Sequence, residues 1–514
     1  MDQETKTMQD DTVSVNNAEK IVDAATVDDQ DVERMGYVVE LPRPFTLLSV
    51  LAIGYEICSA PTAMVISFSV IVGSGGQAMF IWGQWVIYLM AACVAISLSE
   101  LASAYPNAGG QYYWAAMLAP KSYRKLASFV VGYLSWASAM FMLASVCIAM
   151  GFLATGMYAL RHPNATISPW NVFVVYQVVN ILGFAMSCWQ KLLPRISRIF
   201  LFTMIAAAAI IFVSVLARAP VKQSASFVFA SYTNYSGWDD GIAFVTGLLG
   251  VNWGFSCLDA VTHMAEEIPE PRKNVPKALL GTVGLNAILA WPMAIALMFC
   301  VQDLETVFAG ATGVPAIDLL TQIFEADTAG PLGIVAVLFI STFGAVFGIQ
   351  AWQARLCWSI ARDDGMPFSK HLKKIAPAPY EIPFWAHVFS CFIVALLGCL
   401  YLGSSVAFNS FVGGGILMQY TSYSICIVFL LMKGRDNIPH GPFWLGKFGA
   451  VCNVIVLFWT VFTMVFYCFP PYYPVTLTTM NYVSVVLVGF VVIFTGYYLA
   501  FGRRAFTGPP EFEL

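Results

Sequence analysis

Two carboxylates, Glu56 and Asp259, sit inside stretches otherwise built of lipid-compatible side chains. A carboxylate at the bilayer centre costs about 2.5–3.5 kcal/mol on insertion scales, so it usually faces a cavity or a partner. There it can hold an ammonium group or carry a proton; a carboxylic acid hydrogen-bonded to a neighbouring helix is the alternative. Each carboxylate lies beside helix-breaking residues. Glu56 stands in Gly54-Tyr-Glu-Ile-Cys-Ser-Ala-Pro61, where Pro61 removes a backbone donor. Asp259 ends Gly250-Val-Asn-Trp-Gly-Phe-Ser-Cys-Leu-Asp259, with Asn252 and Gly254 in an apolar run. His263 follows Asp259 by one helical turn, either as a hydrogen-bonded interfacial side chain or as part of a proton relay. Trp253 and Phe255 flank the second break and could cover a small amine through cation–π contact. Glu100 lies at the end of an apolar run, in a solvated, structural or gating role.

Backbone inside a bilayer must be hydrogen-bonded, so an unwound stretch survives only where it lines a cavity. Free N–H groups there suit a carboxylate, and free carbonyls suit a cation. Interrupted segments at matching positions of two halves mark a transporter's substrate site, although a simple kink explains either one alone.

The elements that must position these residues are legible from composition. Of 514 residues, 59% are hydrophobic and 11% charged, against about 25% charged in a soluble domain. Twelve apolar spans of roughly membrane-crossing length follow: 45–72, 78–103, 125–157, 169–190, 196–217, 240–264, 277–301, 331–360, 384–402, 406–432, 445–469 and 482–502. Alternating barrel patterning is absent, so the expected fold is an all-α polytopic membrane protein. Residues 1–43, with eleven acidic and four basic side chains, read as a disordered acidic cytosolic tail. The transport core is expected over 44–434, with two five-helix halves at about 44–217 and 240–432. Two extra helices occupy 435–505, and 506–514 form a second cytosolic tail.

With a cytosolic N-terminus, 23 Lys and Arg fall inside and three (Arg161, Arg218 and Lys222) outside. Two N-x-S/T glycosylation candidates, Asn164 and Asn234, then lie in outer loops. The twelve cysteines form no CxxC pair and read as small buried hydrophobes. No GxxxxGK[ST], HExxH or GxSxG occurs, which argues against an ATP motor and against two hydrolase chemistries. Transport would draw on an ion gradient, with no cofactor, no metal and no nucleic-acid partner; the expected partners are a small substrate and membrane lipid.

Three motifs in order resemble the amino acid–polyamine–organocation superfamily. They are Ser97-Leu-Ser-Glu-Leu-Ala-Ser-Ala-Tyr-Pro-Asn-Ala-Gly-Gly-Gln-Tyr-Tyr-Trp114, Trp253-Gly-Phe-Ser-Cys-Leu-Asp-Ala260 with Glu266-Glu-Ile-Pro-Glu-Pro-Arg-Lys-Asn-Val-Pro276, and Arg355-Leu-Cys-Trp-Ser-Ile-Ala-Arg-Asp-Asp-Gly-Met-Pro367. The Tyr-Trp and Asp-Ala variants look like the fungal amino acid/choline branch, which includes choline and γ-aminobutyrate permeases. The resemblance implies a 5+5 inverted repeat plus two helices, proton-coupled uptake and alternating access at the plasma membrane, with the vacuolar membrane as the alternative. It places a substrate carboxylate at the N–H groups of Cys58, Ser59 and Ala60, and an amine at carbonyls near Glu56 and Trp253. It also matches Trp253 to an aromatic gate and Asp259 to a position often carrying Glu. The run Glu-Ile-Cys-Ser-Ala-Pro departs from a Gly-Ser-Gly-like pattern, and the fifth span lacks the mid-helix lysine of some members. An extra carboxylate in a tighter turn suits a cationic or distal-amine substrate. An exporter of an amino-acid-derived metabolite, a nutrient sensor without transport and a membrane-embedded enzyme are the rival readings.

Overall fold

The computed structural model describes residues 28–510, apart from 311, 326, 404, 405 and 478. No strand occurs among the described residues, and twelve helices are long and apolar enough to cross a membrane. They are α1 (Leu47–Ile66), α2 (Phe68–Ala104), α3 (Arg124–Arg161), α4 (Pro169–Met186), α5 (Leu193–Arg218), α6 (Asp240–Glu267), α7 (Pro271–Cys300), α8 (Ala329–Arg362), α9 (Phe384–Gly403), α10 (Phe408–Lys433), α11 (Lys447–Phe466) and α12 (Val483–Ala505). The expected gap between the first two spans shrinks to a single break. Helix α2 runs through the glycine-rich stretch, except at Gly76 (φ 56°, ψ −138°), whose missing side chain leaves room for the backbone of Thr233.

Helix α3 is the central post. Its most apolar 18-residue window is 89% buried, against 17% for α12 at the periphery. Small residues such as Ala137, Ser138, Ala139 and Ala144 let other helices approach closely. Ser138 donates to the carbonyl of Gly415 on α10 at 2.9 Å, and α3 packs chiefly on α8 and α10. Helix α1 starts at a reciprocal cap: Thr46 accepts from the Ser49 N–H, and the Ser49 hydroxyl accepts from the Thr46 N–H.

The two ends of the chain correct the sequence reading. Residues 1–27 and 511–514 lie outside the described residues, but the expected disorder does not extend to residue 43. Residues 28–34 form a helix, and Val32, Met35, Tyr37 and Leu41 are buried. Asp28 accepts from the Glu270 N–H at 2.9 Å, and Asp31 meets Arg272 at 2.7 Å. The acidity that read as a mark of disorder is complementary to basic helix ends. At the other end Phe506 is buried, and Arg124 donates to the carbonyls of Pro509 and Pro510 at 2.8 Å. Both described termini therefore dock on one face of the molecule, here called the terminal face.

Candidate functional site

Helices α1 and α6 are both interrupted. In α1, Ser59 takes left-handed backbone (φ 41°, ψ 53°) between Leu47–Cys58 and Ala60–Ile66. In α6, Cys257 does the same (φ 63°, ψ 23°) between Asp240–Trp253 and a ten-residue 3-10 segment, Leu258–Glu267. Side-chain-bearing residues in this region cost on the order of 1–3 kcal/mol, so neighbouring structure must hold them there. The two breaks hold each other. A Cβ on Gly254 would lie 2.8 Å from Cα of Ala60, so only glycine permits this crossing. The Cys58 thiol donates to the carbonyl of Ser256 at 2.9 Å. Gln419 of α10 accepts from the Cys257 N–H at 3.1 Å.

Accounting for backbone partners at the α1 break decides what it can bind. Cys58 closes the first half-helix, and the Ser59 N–H donates to Tyr55 O at 2.8 Å. The Ala60 N–H donates to Oδ1 of Asn286 on α7 at 2.6 Å. The expected carboxylate cradle of three N–H groups therefore has no free donor. The carbonyls fare differently. Those of Glu56, Ile57 and Cys58 would accept, in a continuous helix, from residues 60, 61 and 62. Ala60 donates to Asn286, Pro61 has no N–H, and Thr62 donates to Ser59 O. Three carbonyls are thus released from helical pairing.

A cavity of about 20 Å³ lies at this crossing, room for about one water molecule. Ile57, Cys58, Ser59, Trp253, Ser256 and Cys257 line it, with residues of α3 and α8 opposite. Trp253 is fixed by its indole N–H, which donates to Ser145 on α3 at 3.1 Å, and by an edge contact with Phe408. The centre is therefore a small cavity with mostly apolar walls and one large aromatic face, beside the carbonyls released at the α1 break and the unpartnered hydroxyl of Ser59.

Other sequence-derived candidates lie elsewhere. Ala60 is buried beside the crossing but is not part of the cavity wall. Glu56 is fully buried and turns toward α5, where Ser197 donates to Oε1 at 2.9 Å; Oε2 has no hydrogen-bond partner. Phe255 faces a separate lateral pocket between α2 and α7, with Trp85 and Trp291. Asn252 is spent on packing: it donates to Tyr467 and accepts from Tyr420. Glu100 binds Arg435 at 2.9 Å and accepts from the Leu445 N–H at 2.8 Å, tying α2 to the α10–α11 connection. Asn164 is exposed in the α3–α4 loop, whereas the amide nitrogen of Asn234 donates to Trp238 O at 2.7 Å.

Asp259 and His263 do come together, two residues beyond the cavity wall and fully buried. Oδ2 of Asp259 lies 3.4 Å from Nε2 of His263, Tyr423 donates to Oδ1 at 2.6 Å, and Nδ1 of His263 meets Ala108 O at 2.9 Å.

The amino acid permease family model matches residues 45–492. The chain is 39% identical to a choline transporter of Saccharomyces cerevisiae, covering 92% of this chain and 84% of that protein. It is 36% identical to a swainsonine transporter of Arthroderma benhamiae, over 96% and 99%. A GABA-specific permease of Saccharomyces cerevisiae is 27% identical, over 94% and 86%. The chain belongs to the amino acid permease family. It is a secondary transporter, not an enzyme.

The permease carries a second set of residues that sequence reasoning passed over as membrane-flanking charge. At the terminal-face end of α6, Glu267 accepts from Arg355 Nε at 2.7 Å and also from Gln190, while Gln190 accepts from Arg355 Nη2 at 2.7 Å. Next to it Glu266 accepts from Arg362 and from the Ala108 N–H. Arg362 lies 3.6 Å from the centre of the Tyr37 ring, and Tyr37 donates to Asp363 at 2.8 Å. Asp363 is held above the ordinary carboxylate range, chiefly by burial and against the pull of Arg362. These pairs bolt α6, α8 and the docked N-terminal segment together, closing the permease on the terminal face. The available signal was two adjacent carboxylates, Glu266-Glu267, facing two arginines seven residues apart on α8.

Proposed function

We propose that this permease takes up a compact organic cation, a choline-like amine that presents no carboxylate to α1. The observation that carries this reading is the α1 break, with its released carbonyls, no free N–H donor and the Trp253 ring alongside. Carbonyl oxygens and an aromatic face attract a cation, the aromatic contact being worth about 0.5–2 kcal/mol; a carboxylate there would find no backbone N–H, only the unpartnered hydroxyl of Ser59. The names of the choline and swainsonine transporters agree with this choice. The excess of basic residues on the terminal face supports cytosolic termini, and the plasma membrane is the site proposed. Uptake runs down the proton gradient, with the centre opening alternately to the two sides.

The test is uptake by yeast lacking its own amine permeases and expressing this chain. Labelled choline is expected to enter, and unlabelled choline to compete far better than its carboxylate counterpart glycine betaine or γ-aminobutyrate. Equal or better competition by the carboxylate compounds would overturn the reading.

A further inference from the structure

We infer that the coupling proton of this permease is held between Oδ2 of Asp259 and Nε2 of His263. The inference rests on the transport reading above and names the atoms that do its coupling.

The argument is one of proton counting. A carbonyl oxygen only accepts, so the 2.9 Å contact with Ala108 O places a hydrogen on Nδ1 of His263. Nε2 then presents either a lone pair or a second N–H to Oδ2 at 3.4 Å. Neither atom has a hydrogen-bond partner, their 3.4 Å approach being too long and misaligned to count as one as it stands, and both side chains are fully buried. Without a shared proton, a carboxylate would face a lone pair in a fully buried site, at the cost of two unpaired polar atoms. With a proton on each, two donors would face each other. A single proton satisfies both atoms, whether written as carboxylic acid with neutral imidazole or as carboxylate with imidazolium.

The titratable neighbours of the pair are Tyr423 of α10, which donates to Oδ1, Cys58 of α1 and Cys257 of α6 itself. The charged groups nearest it on the surrounding helices have partners of their own, although Oε2 of Glu56, which turns toward α5, has none. Glu56 accepts from Ser197, Glu100 pairs with Arg435, Arg272 with Asp31, Glu266 with Arg362 and Glu267 with Arg355.

The pair also lies where a proton would be felt on both sides. Cys257, two residues before Asp259, lines the substrate cavity. Ala108 accepts from His263 through its carbonyl, and its N–H donates to Glu266 in the terminal-face closure. Gly110 makes room for the ring: a Cβ there would stand 2.7 Å from Cε1 of His263. In the cycle the proton arrives from the outer solution when the centre opens outward and binds the Asp259–His263 pair. It leaves to the cytosolic solution when the opposite side opens; no other bond is made or broken.

The test uses the purified full chain in proteoliposomes at clamped voltage, with choline as the probe. A gradient of about two pH units can drive at most about 100-fold accumulation with one proton per substrate. Each protein's own exchange at symmetric pH serves as its reference. Asp259→Asn supplies an amide N–H to Nε2 and keeps the acceptor for Tyr423, so the pair is satisfied without a proton. Accumulation in this variant and in His263→Gln is expected to fall to about the level of protonophore-treated wild type. Gradient-driven accumulation as large as wild type in either variant overturns the inference. So does a wild type that exchanges choline but ignores the pH gradient, an outcome that leaves the amine reading standing. If wild type exchanges no choline, the amine reading falls, and infrared difference spectra on a pH jump decide the pair without substrate. A carboxyl band present in wild type and missing from Asp259→Asn supports the shared proton; identical spectra overturn it.

Discussion

Removing the negative charge of Glu267 should unlock the terminal face. Glu267→Gln keeps an oxygen toward Arg355 but deletes the charge that its guanidinium faces at 2.7 Å. The side chains of Arg355 and Glu267 are 2% and 1% exposed, so solvent does little to compensate. Breaking such a pair by removing one partner costs about 3–5 kcal/mol, because the remaining charge stays buried. In any conformation that opens this face, Arg355 is hydrated and the penalty disappears. The substitution thus shifts the closed-to-open balance by at least about 3 kcal/mol, or more than about 100-fold. Hydrogen exchange reads this directly, as faster exchange of amides in Leu258–Glu267 and at the end of α8, with peripheral α12 unchanged as a control. Adding Arg355→Met removes the stranded cation and should restore about tenfold or more of the lost protection, since replacing both members of a buried pair costs much less than breaking it. Protection in the α6 segment within about threefold of wild type would refute the assignment of these residues as the closure.

Three further outcomes follow from other contacts. Trp253→Leu should raise the KM for choline about 3–30-fold, the equivalent of the cation–π contact, while Trp253→Phe keeps most of the affinity; equal KM values for both would remove Trp253 from the site. Asn286→Ala orphans the buried Ala60 N–H, at a cost of about 1–3 kcal/mol, so its thermal unfolding midpoint should fall, whereas Asn286→Asp, which keeps the acceptor, should lose less. Docking of residues 28–43 should weaken as pH rises. Asp28, which is buried, sits above its ordinary value, first because burial disfavours the charged form. Groups raised in the docked state contribute stability below their ordinary range, about 4, and lose it as pH climbs through the raised values. Limited proteolysis of this segment should therefore be slower at about pH 4.5 than at about pH 7, and an opposite trend would contradict the burial argument.

How far the sequence could be read varied from residue to residue, for physical reasons. The breaks were legible because Pro61 lacks an N–H and Gly254 lacks a side chain, and these properties need no neighbours to interpret. Asp259 and His263 were legible as a pair from α-helical spacing, although the segment is 3-10 and residues four apart there are rotated by about 120°; their side chains still approach to 3.4 Å. Glu56 was not, because a helix turns about 100° per residue and only packing decides that it faces Ser197 of α5 rather than the cavity. The occupied N–H of Ala60 was hidden for the same reason, its partner Asn286 lying 226 positions away. The docked segment 28–43 was misread because charge content alone does not say whether an oppositely charged surface awaits it. The 3-10 geometry of Leu258–Glu267 left no mark either, since ten residues are too few to separate a period of 3.0 from 3.6.

That ten-residue segment has a mechanical meaning. A 3-10 helix rises about 2.0 Å per residue and an α-helix about 1.5 Å, so the same ten residues span about 20 Å in one form and about 15 Å in the other. Runs of 3-10 beyond three or four residues are uncommon, so this one is held stretched between its ends. Cys257 anchors one end to α10, and Glu266 and Glu267 anchor the other to α8. Once the second anchor lets go, recoil to the α form retracts the segment by about 5 Å, close to one helical pitch. The α6 half-helix is thus a drawn spring with its catch at Arg355, and its travel is set by backbone geometry alone.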